Sequence, residues 1–162
     1  MGFLNFLLYE YYQSLFYFLA IISIVHKKVA VKVVLAGSIF LGISEYLIIN
    51  NIKDAASGII GFVFNIVILS FFVFSLNVAK GSTTTRISKC FIIAILAFVL
   101  DAVTQLIVVI PLSTIYSVSS FDVATTNPVI THLSYKSLQI FAVILIWEGE
   151  FKYAKKFLQK SN

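Results

Sequence analysis

The sequence predicts an all-α polytopic membrane bundle of five transmembrane helices, with the N-terminus outside and the C-terminus in the cytoplasm. Three observations carry that prediction. Of 162 residues, 60% are hydrophobic and 12% charged, against about 45–50% and about 25% in soluble domains. Five stretches stay apolar for the roughly 20 residues that cross about 30 Å of hydrocarbon. The Lys and Arg residues fall mostly on alternate connections, as the positive-inside rule requires. The abundance of Phe, Ile, Leu and Val excludes disorder, and the single cysteine, Cys90, excludes an internal disulfide.

The first span covers 3–25 and is interrupted by Glu10 and Gln13. The second covers 30–49, the third 58–78, the fourth 90–110 and the fifth 130–147. Together they form a transmembrane domain over 1–149, followed by a short basic cytoplasmic helix over 150–162. These segments are apolar all round rather than alternating, so barrel strands are excluded. The start, Met1-Gly2-Phe3-Leu4, has no basic n-region and is not read as a cleavable signal peptide. Gly2 lacks the Ser or Thr four residues on that myristoylation wants, since Phe6 stands there. Between spans three and four, Gly81-Ser82-Thr83-Thr84-Thr85 reads as a polar loop. Between Pro111 and Pro128 the chain is too polar for lipid, and it reads as an ordered external loop with a short interfacial helix.

Orientation follows from charge placement. Lys27, Lys28, Lys32, Lys80, Arg86, Lys89, Lys152, Lys155, Lys156 and Lys160 all fall on one side of a five-span arrangement, while Lys53 and Lys136 fall on the other. The larger group marks the cytoplasmic side.

An ionisable residue within a span is costly, so it usually faces protein or water. Glu10, Gln13, Glu45, Asn65, Asp101, Gln105, His132, Lys136 and Gln139 all fall at mid-depth or in the outer half. Asp101 and Gln105 are i, i+4 and share a helix face; Lys136 and Gln139 are i, i+3, with His132 one turn above. Lys136 suits a direct pair with one carboxylate. The set predicts a polar vestibule opening outward, for an extracellular peptide or small molecule. The plainer alternative has Glu10, Glu45 and Lys136 snorkelling at headgroup level, with Asn and Gln as interhelical hydrogen-bond partners. Asp101 is too deep to snorkel. Ser38 with Gly42 and Ser57 with Gly61 are small-residue pairs that suit close helix packing. Tyr9, Tyr11, Tyr12, Tyr17 and Trp147 read mostly as interfacial belt residues.

Catalytic and cofactor patterns are absent. His26, His132 and Cys90 are too dispersed for a metal cluster. No phosphate-binding glycine loop or nucleophile elbow is present. The basic residues are explained by topology, not by nucleic acid. No enzyme activity, cofactor or metal is expected.

The layout resembles the membrane sensor region of peptide-pheromone histidine kinases of the accessory-gene-regulator type. The similarity lies in a Phe/Tyr/Leu-rich first span ending in His26-Lys27-Lys28, and in a basic turn, Arg86-Ile87-Ser88-Lys89, before span four. It lies also in a last span opening with Ser134-Tyr135-Lys136-Ser137-Leu138-Gln139. The resemblance covers nearly the whole chain in general character, without a specific motif, and assigns no ligand contact to any one residue. It implies a bacterial, multi-pass cell-membrane protein of quorum sensing and signal transduction, with a homodimer or a cytoplasmic signalling partner. No phospho-acceptor helix or ATP-binding module appears in these residues, so a sensor-only protein and a truncated sensor region both fit.

Two other functions suit the same residues. One is a small transporter or substrate-binding transporter subunit, with Asp101 coupling to protons. The other is a structural or immunity-type partner of a larger membrane complex. After Trp147, the i, i+3, i+7 stripe of Phe151, Ala154 and Leu158 predicts that span five continues as a helix through about Leu158, weakened at Gly149. That stripe suits either the inner leaflet or a second copy of the chain.

Overall fold

The computed structural model describes residues 11–51, 56–120, 122–126, 128–149 and 152–159. Among them the chain is helical throughout, without a strand. The helices are α1 (Tyr12–Val25), α2 (Val31–Asn51), α3 (Ala56–Ser75), α4 (Thr83–Tyr116), α5 (Val123–Thr126), α6 (Pro128–Glu148) and α7 (Lys152–Gln159). Four of them, α2, α3, α4 and α6, are long and apolar enough to cross a membrane. Their outward faces suit lipid: Val31, Ile59, Phe71, Ile115 and Val129 are each about two-thirds exposed or more.

The described part of α1 is a shorter apolar helix, and it occupies the centre of the bundle. It packs against α2, α3, α4, α6 and α7. Phe16, Tyr17, Phe18, Ala20, Ile21, Ile24 and Val25 are all buried, as expected of a helix that is apolar all round and enclosed by others. By contrast only 11% of the apolar window of α6 is buried. Phe18 of α1 packs against Phe72, the rings tilted by 59° with centres 4.6 Å apart. It also lies against Gly37, where an added Cβ would meet the Phe18 ring at 2.6 Å. Close approach of two helices therefore falls at Gly37. Of the predicted Ser57/Gly61 pair, the Ser57 side chain lies outside the described residues, and a Cβ at Gly61 would meet none of the described residues within 4 Å. Of the other predicted pair, Ser38 is buried and turns its hydroxyl back to Val34 O at 2.7 Å.

The turns explain where the helices stop. His26 closes α1 in the left-handed region at φ 48°, with its N–H on Ile22 O and Ser23 O. Asn77 follows α3 at φ 52°. Gly81 at φ 124° precedes Ser82, whose hydroxyl accepts from Thr85 N at 3.3 Å and starts α4. The predicted polar loop at 81–85 is thus a cap: Thr83, Thr84 and Thr85 are already helical, and α4 begins seven residues before the predicted span. At its other end α4 runs through Pro111 to Tyr116; the proline removes one backbone bond, the one to Ile107 O, without forbidding continuation. Ser113 Oγ and Thr114 Oγ1 turn back to Ile110 O in the same stretch. The predicted short helix of the following loop is α5, which packs on α4 and α6.

The C-terminal helix departs from expectation. α6 ends at Glu148 and α7 starts at Lys152, so the predicted continuous helix through Leu158 is not formed. At Gly149 the N–H still reaches Leu145 O at 2.8 Å, but a Cβ there would sit 2.9 Å from that same oxygen. The backbone leaves its helical course at a position suited to glycine. Leu158 then turns into the bundle, 2% exposed. Its carbonyl accepts the Lys80 N–H at 2.9 Å and the Lys89 ammonium at 3.3 Å. Of the predicted stripe, Leu158 is taken up by the bundle itself; Phe151 and the Ala154 side chain lie outside the described residues.

Two other basic residues at this end bond the turn after α3. Lys27 Nζ donates to Leu76 O at the end of α3, a cation on an otherwise orphaned carbonyl. Arg86 donates to Asn77 Oδ1 at 2.8 Å and lies over the Phe74 ring. Trp147 stacks on His26 at 4.5 Å, joining α6 to the α1 turn.

Candidate functional site

Three helices each carry a polar i, i+4 pair, and the bundle brings the three together. α1 contributes Gln13 and Tyr17, α4 Asp101 and Gln105, and α6 Tyr135 and Gln139. Asp101, 6% exposed, is the hub. Gln13 Nε2 donates to its Oδ2 at 2.6 Å, Tyr17 OH at 3.2 Å and Gln105 Nε2 at 3.3 Å. On Oδ1, Gln139 Nε2 donates at 2.8 Å, and the Tyr135 hydroxyl makes a closer contact. Further bonds tie the donors to one another: Gln13 Nε2 to Tyr17 OH at 3.1 Å and Gln105 Nε2 to Tyr135 OH at 3.1 Å; Gln13 Oε1, 3.2 Å from the Tyr135 hydroxyl, is the alternative acceptor for its one proton.

Every one of the five groups on Asp101 can donate, enough to fill the four or so lone-pair sites of an acceptor-only carboxylate. Bonds to a charged acceptor are worth about 1.5–3 kcal/mol each. About four of them are of the order needed to offset the several kcal/mol that removing a carboxylate from water costs. Asp101 therefore pins α1, α4 and α6 to one point.

A second cluster lies across α1. Glu45 of α2 accepts from Ser14 Oγ at 3.1 Å and from Asn65 Nδ2 of α3. Asn65 is 2% exposed. Its Oδ1 has no hydrogen-bond partner among the described residues. Flipping the amide would not help, because it would aim that oxygen at the Glu45 carboxylate. Beside this cluster lies a cleft of about 260 Å³ lined by Tyr17, Glu45, Gly58, Gly61, Phe62, Asn65 and Phe98. Its aromatic wall is continuous: Phe98 lies 4.4 Å from the Tyr17 ring and 5.1 Å from Phe62, centre to centre.

The single predicted vestibule thus resolves into two clusters. Gln13, Asp101, Gln105 and Gln139 meet in the first; Glu45 and Asn65 meet in the second. Lys136 is half-buried, with its ammonium 4.3 Å over the Tyr12 ring, while Tyr12 OH donates to the Lys136 carbonyl at 3.0 Å. His132 sits half-buried one turn before it on α6. Glu10 lies outside the described residues. Among the described residues no three His, Cys, Asp or Glu side chains converge to hold a metal.

Tyr17 and Tyr135 are the members that residue type alone hides. Tyr17 reads as an interfacial residue but is 5% exposed, with its hydroxyl on Asp101. The available signal is spacing: Gln13/Tyr17 and Tyr135/Gln139 repeat the i, i+4 pattern of Asp101/Gln105. Gln139, expected to share a face with Lys136, turns fully buried onto Asp101, while Lys136 is half-buried over the Tyr12 ring.

No protein-family model, curated protein or solved structure matches the chain.

Proposed function

We propose that the chain crosses the cell membrane five times, N-terminus outside, as a sensor module that answers an extracellular ligand and signals through its C-terminal helix. The observation that carries this reading is the path of α6. In its first half and at its middle it holds Asp101 through Tyr135 and Gln139. At its other end, past Gly149, the chain leads into α7, whose Leu158 carbonyl rests on Lys80 and Lys89. A ligand that shifts α6 in the polar core also shifts the attachment of α7. The topology is supported by the ten-to-two division of Lys and Arg, and the sensor role by the general resemblance to peptide-pheromone receptors.

The linkage is tested without knowing the ligand. In a Cys90→Ala background, Lys80→Cys with Gln159→Cys reports α7 docking by disulfide formation in membranes. Tyr135→Phe or Asp101→Asn, which loosens α6 at the polar core, is expected to change the cross-linking rate several-fold. An unchanged rate in both variants overturns the signalling route. Labelling of Ser82→Cys by an impermeant reagent from outside the cell overturns the topology.

One observation favours a second reading as a small transporter: a carboxylate near the middle of α4, within one shared residue, Tyr17, of a cleft. Uptake into proteoliposomes that is lost in Asp101→Asn supports transport over sensing.

A further inference from the structure

The Asp101 shell and the Glu45 cluster each leave one buried amide oxygen without a partner among the described residues, Gln139 Oε1 and Asn65 Oδ1. What sets the second apart is that Asn65 lines a cleft. The cleft presents a carboxylate, that amide and three aromatic rings. An unpaired buried acceptor of this kind costs about 1–3 kcal/mol, which a donor-bearing guest would recover. Around it the chain keeps space open. Gly58 and Gly61 sit on the cleft side of α3, and a Cβ at either would meet none of the described residues within 4 Å. At about 30 Å³ per water, 260 Å³ holds several waters or one small organic molecule.

The chemistry narrows the guest. One carboxylate and one amide oxygen are too few for the six to eight oxygens of a calcium site, and the aromatic wall contributes none. The carboxylate and the ring faces of Tyr17, Phe62 and Phe98 both attract a cation. A quaternary ammonium has no N–H to offer Asn65 Oδ1, whereas a primary ammonium has three. We propose that this cleft binds a primary ammonium group, with Glu45 and Asn65 Oδ1 taking its N–H bonds and the Tyr17–Phe98–Phe62 wall covering the apolar part of the ligand. The group comes from a soluble amine or from a phosphatidylethanolamine headgroup. The inference deepens the sensor reading by naming its ligand class, but it is tested by binding alone, so its failure and the failure of the α7 route are separable.

The experiment is calorimetry on the full chain in phosphatidylcholine nanodiscs. The probes are methylammonium, butylammonium and phenethylammonium, with 2-phenylethanol and phenylacetate as neutral and anionic counterparts. Saturable binding of phenethylammonium is expected, about tenfold or more tighter than of 2-phenylethanol, with no binding of phenylacetate. Glu45→Gln and Asn65→Leu are each expected to weaken it about tenfold or more. Gly61→Leu places a side chain into open space, so it keeps the helical spectrum of the native chain while blocking the cleft. Replacing a third of the lipid by phosphatidylethanolamine separates the sources: a loss of apparent amine affinity assigns the site to the headgroup, and no change assigns it to a soluble amine. Absence of saturable binding by all three amines, equal binding of the alcohol, or indifference to both Glu45→Gln and Gly61→Leu overturns the proposal.

Discussion

Two carboxylates lie on either side of α1 and are treated in opposite ways. Asp101 receives five donors from three helices. Glu45 receives Ser14 and Asn65 and borders a cleft. Each arrangement leaves one buried amide oxygen without a partner among the described residues, Gln139 Oε1 in the first and Asn65 Oδ1 in the second; the second lies beside a cleft. A buried acid in a membrane bundle can therefore be a structural hub or part of a receptive surface. Its depth in the span does not decide which, whereas its complement of donors does.

The difference predicts different costs. The largest belongs to Asp101→Leu, which strips the hub and strands Gln139, itself fully buried, along with two tyrosine hydroxyls. Breaking such a buried set by removing one partner costs about 3–5 kcal/mol, to be read by unfolding of the chain in mixed detergent micelles. A loss under 1 kcal/mol would place Asp101 in the same class as Glu45. Glu45→Gln is expected to cost only about 1 kcal/mol in the same assay, since glutamine keeps an acceptor oxygen for Ser14 or Asn65 beside an open cleft. The smallest effect is expected at Gly61→Ala, which fills open space on a helix and should be neutral or stabilise by up to about 1 kcal/mol. A clear destabilisation there would mean that the cleft is packed shut, and the contrast with Asp101 would collapse.

Much of the architecture is legible in hydropathy alone. The predicted spans at 30–49, 58–78 and 130–147 meet α2, α3 and α6 within three residues at each end. α4 exceeds its prediction because hydropathy does not register a Ser82 cap or a helix that continues past Pro111. What hydropathy cannot rank is which helix the others surround. α1 is no more apolar than its neighbours to the eye, and its central place depends on small and close contacts such as Phe18 against Gly37. At the site, Asp101, Gln105, Gln13 and Gln139 are legible as polar residues in apolar surroundings. Tyr17 and Tyr135 are not, because tyrosine is equally at home in an interfacial belt and only its partner distinguishes the two. The return of α7 is illegible for a different reason: it depends on a lysine and a carbonyl 69 residues apart, a pairing to which no local pattern points.

The central position of α1 bears on the order of assembly. It is the first of the described helices to leave the ribosome, yet its polar partners are made last. Gln13 waits for Asp101, 88 residues on, and Tyr12 waits for Lys136, 124 residues on. Until α4 is inserted, Gln13 and Tyr17 stand in the bilayer without Asp101, and until α6 is inserted Asp101 lacks Tyr135 and Gln139. Such long-range closure is intrinsically slow. Folding of this bundle is thus governed by a late event, the arrival of α6 beside a helix synthesised more than a hundred residues earlier. A chain interrupted before α6 leaves its first helix unsettled rather than its last.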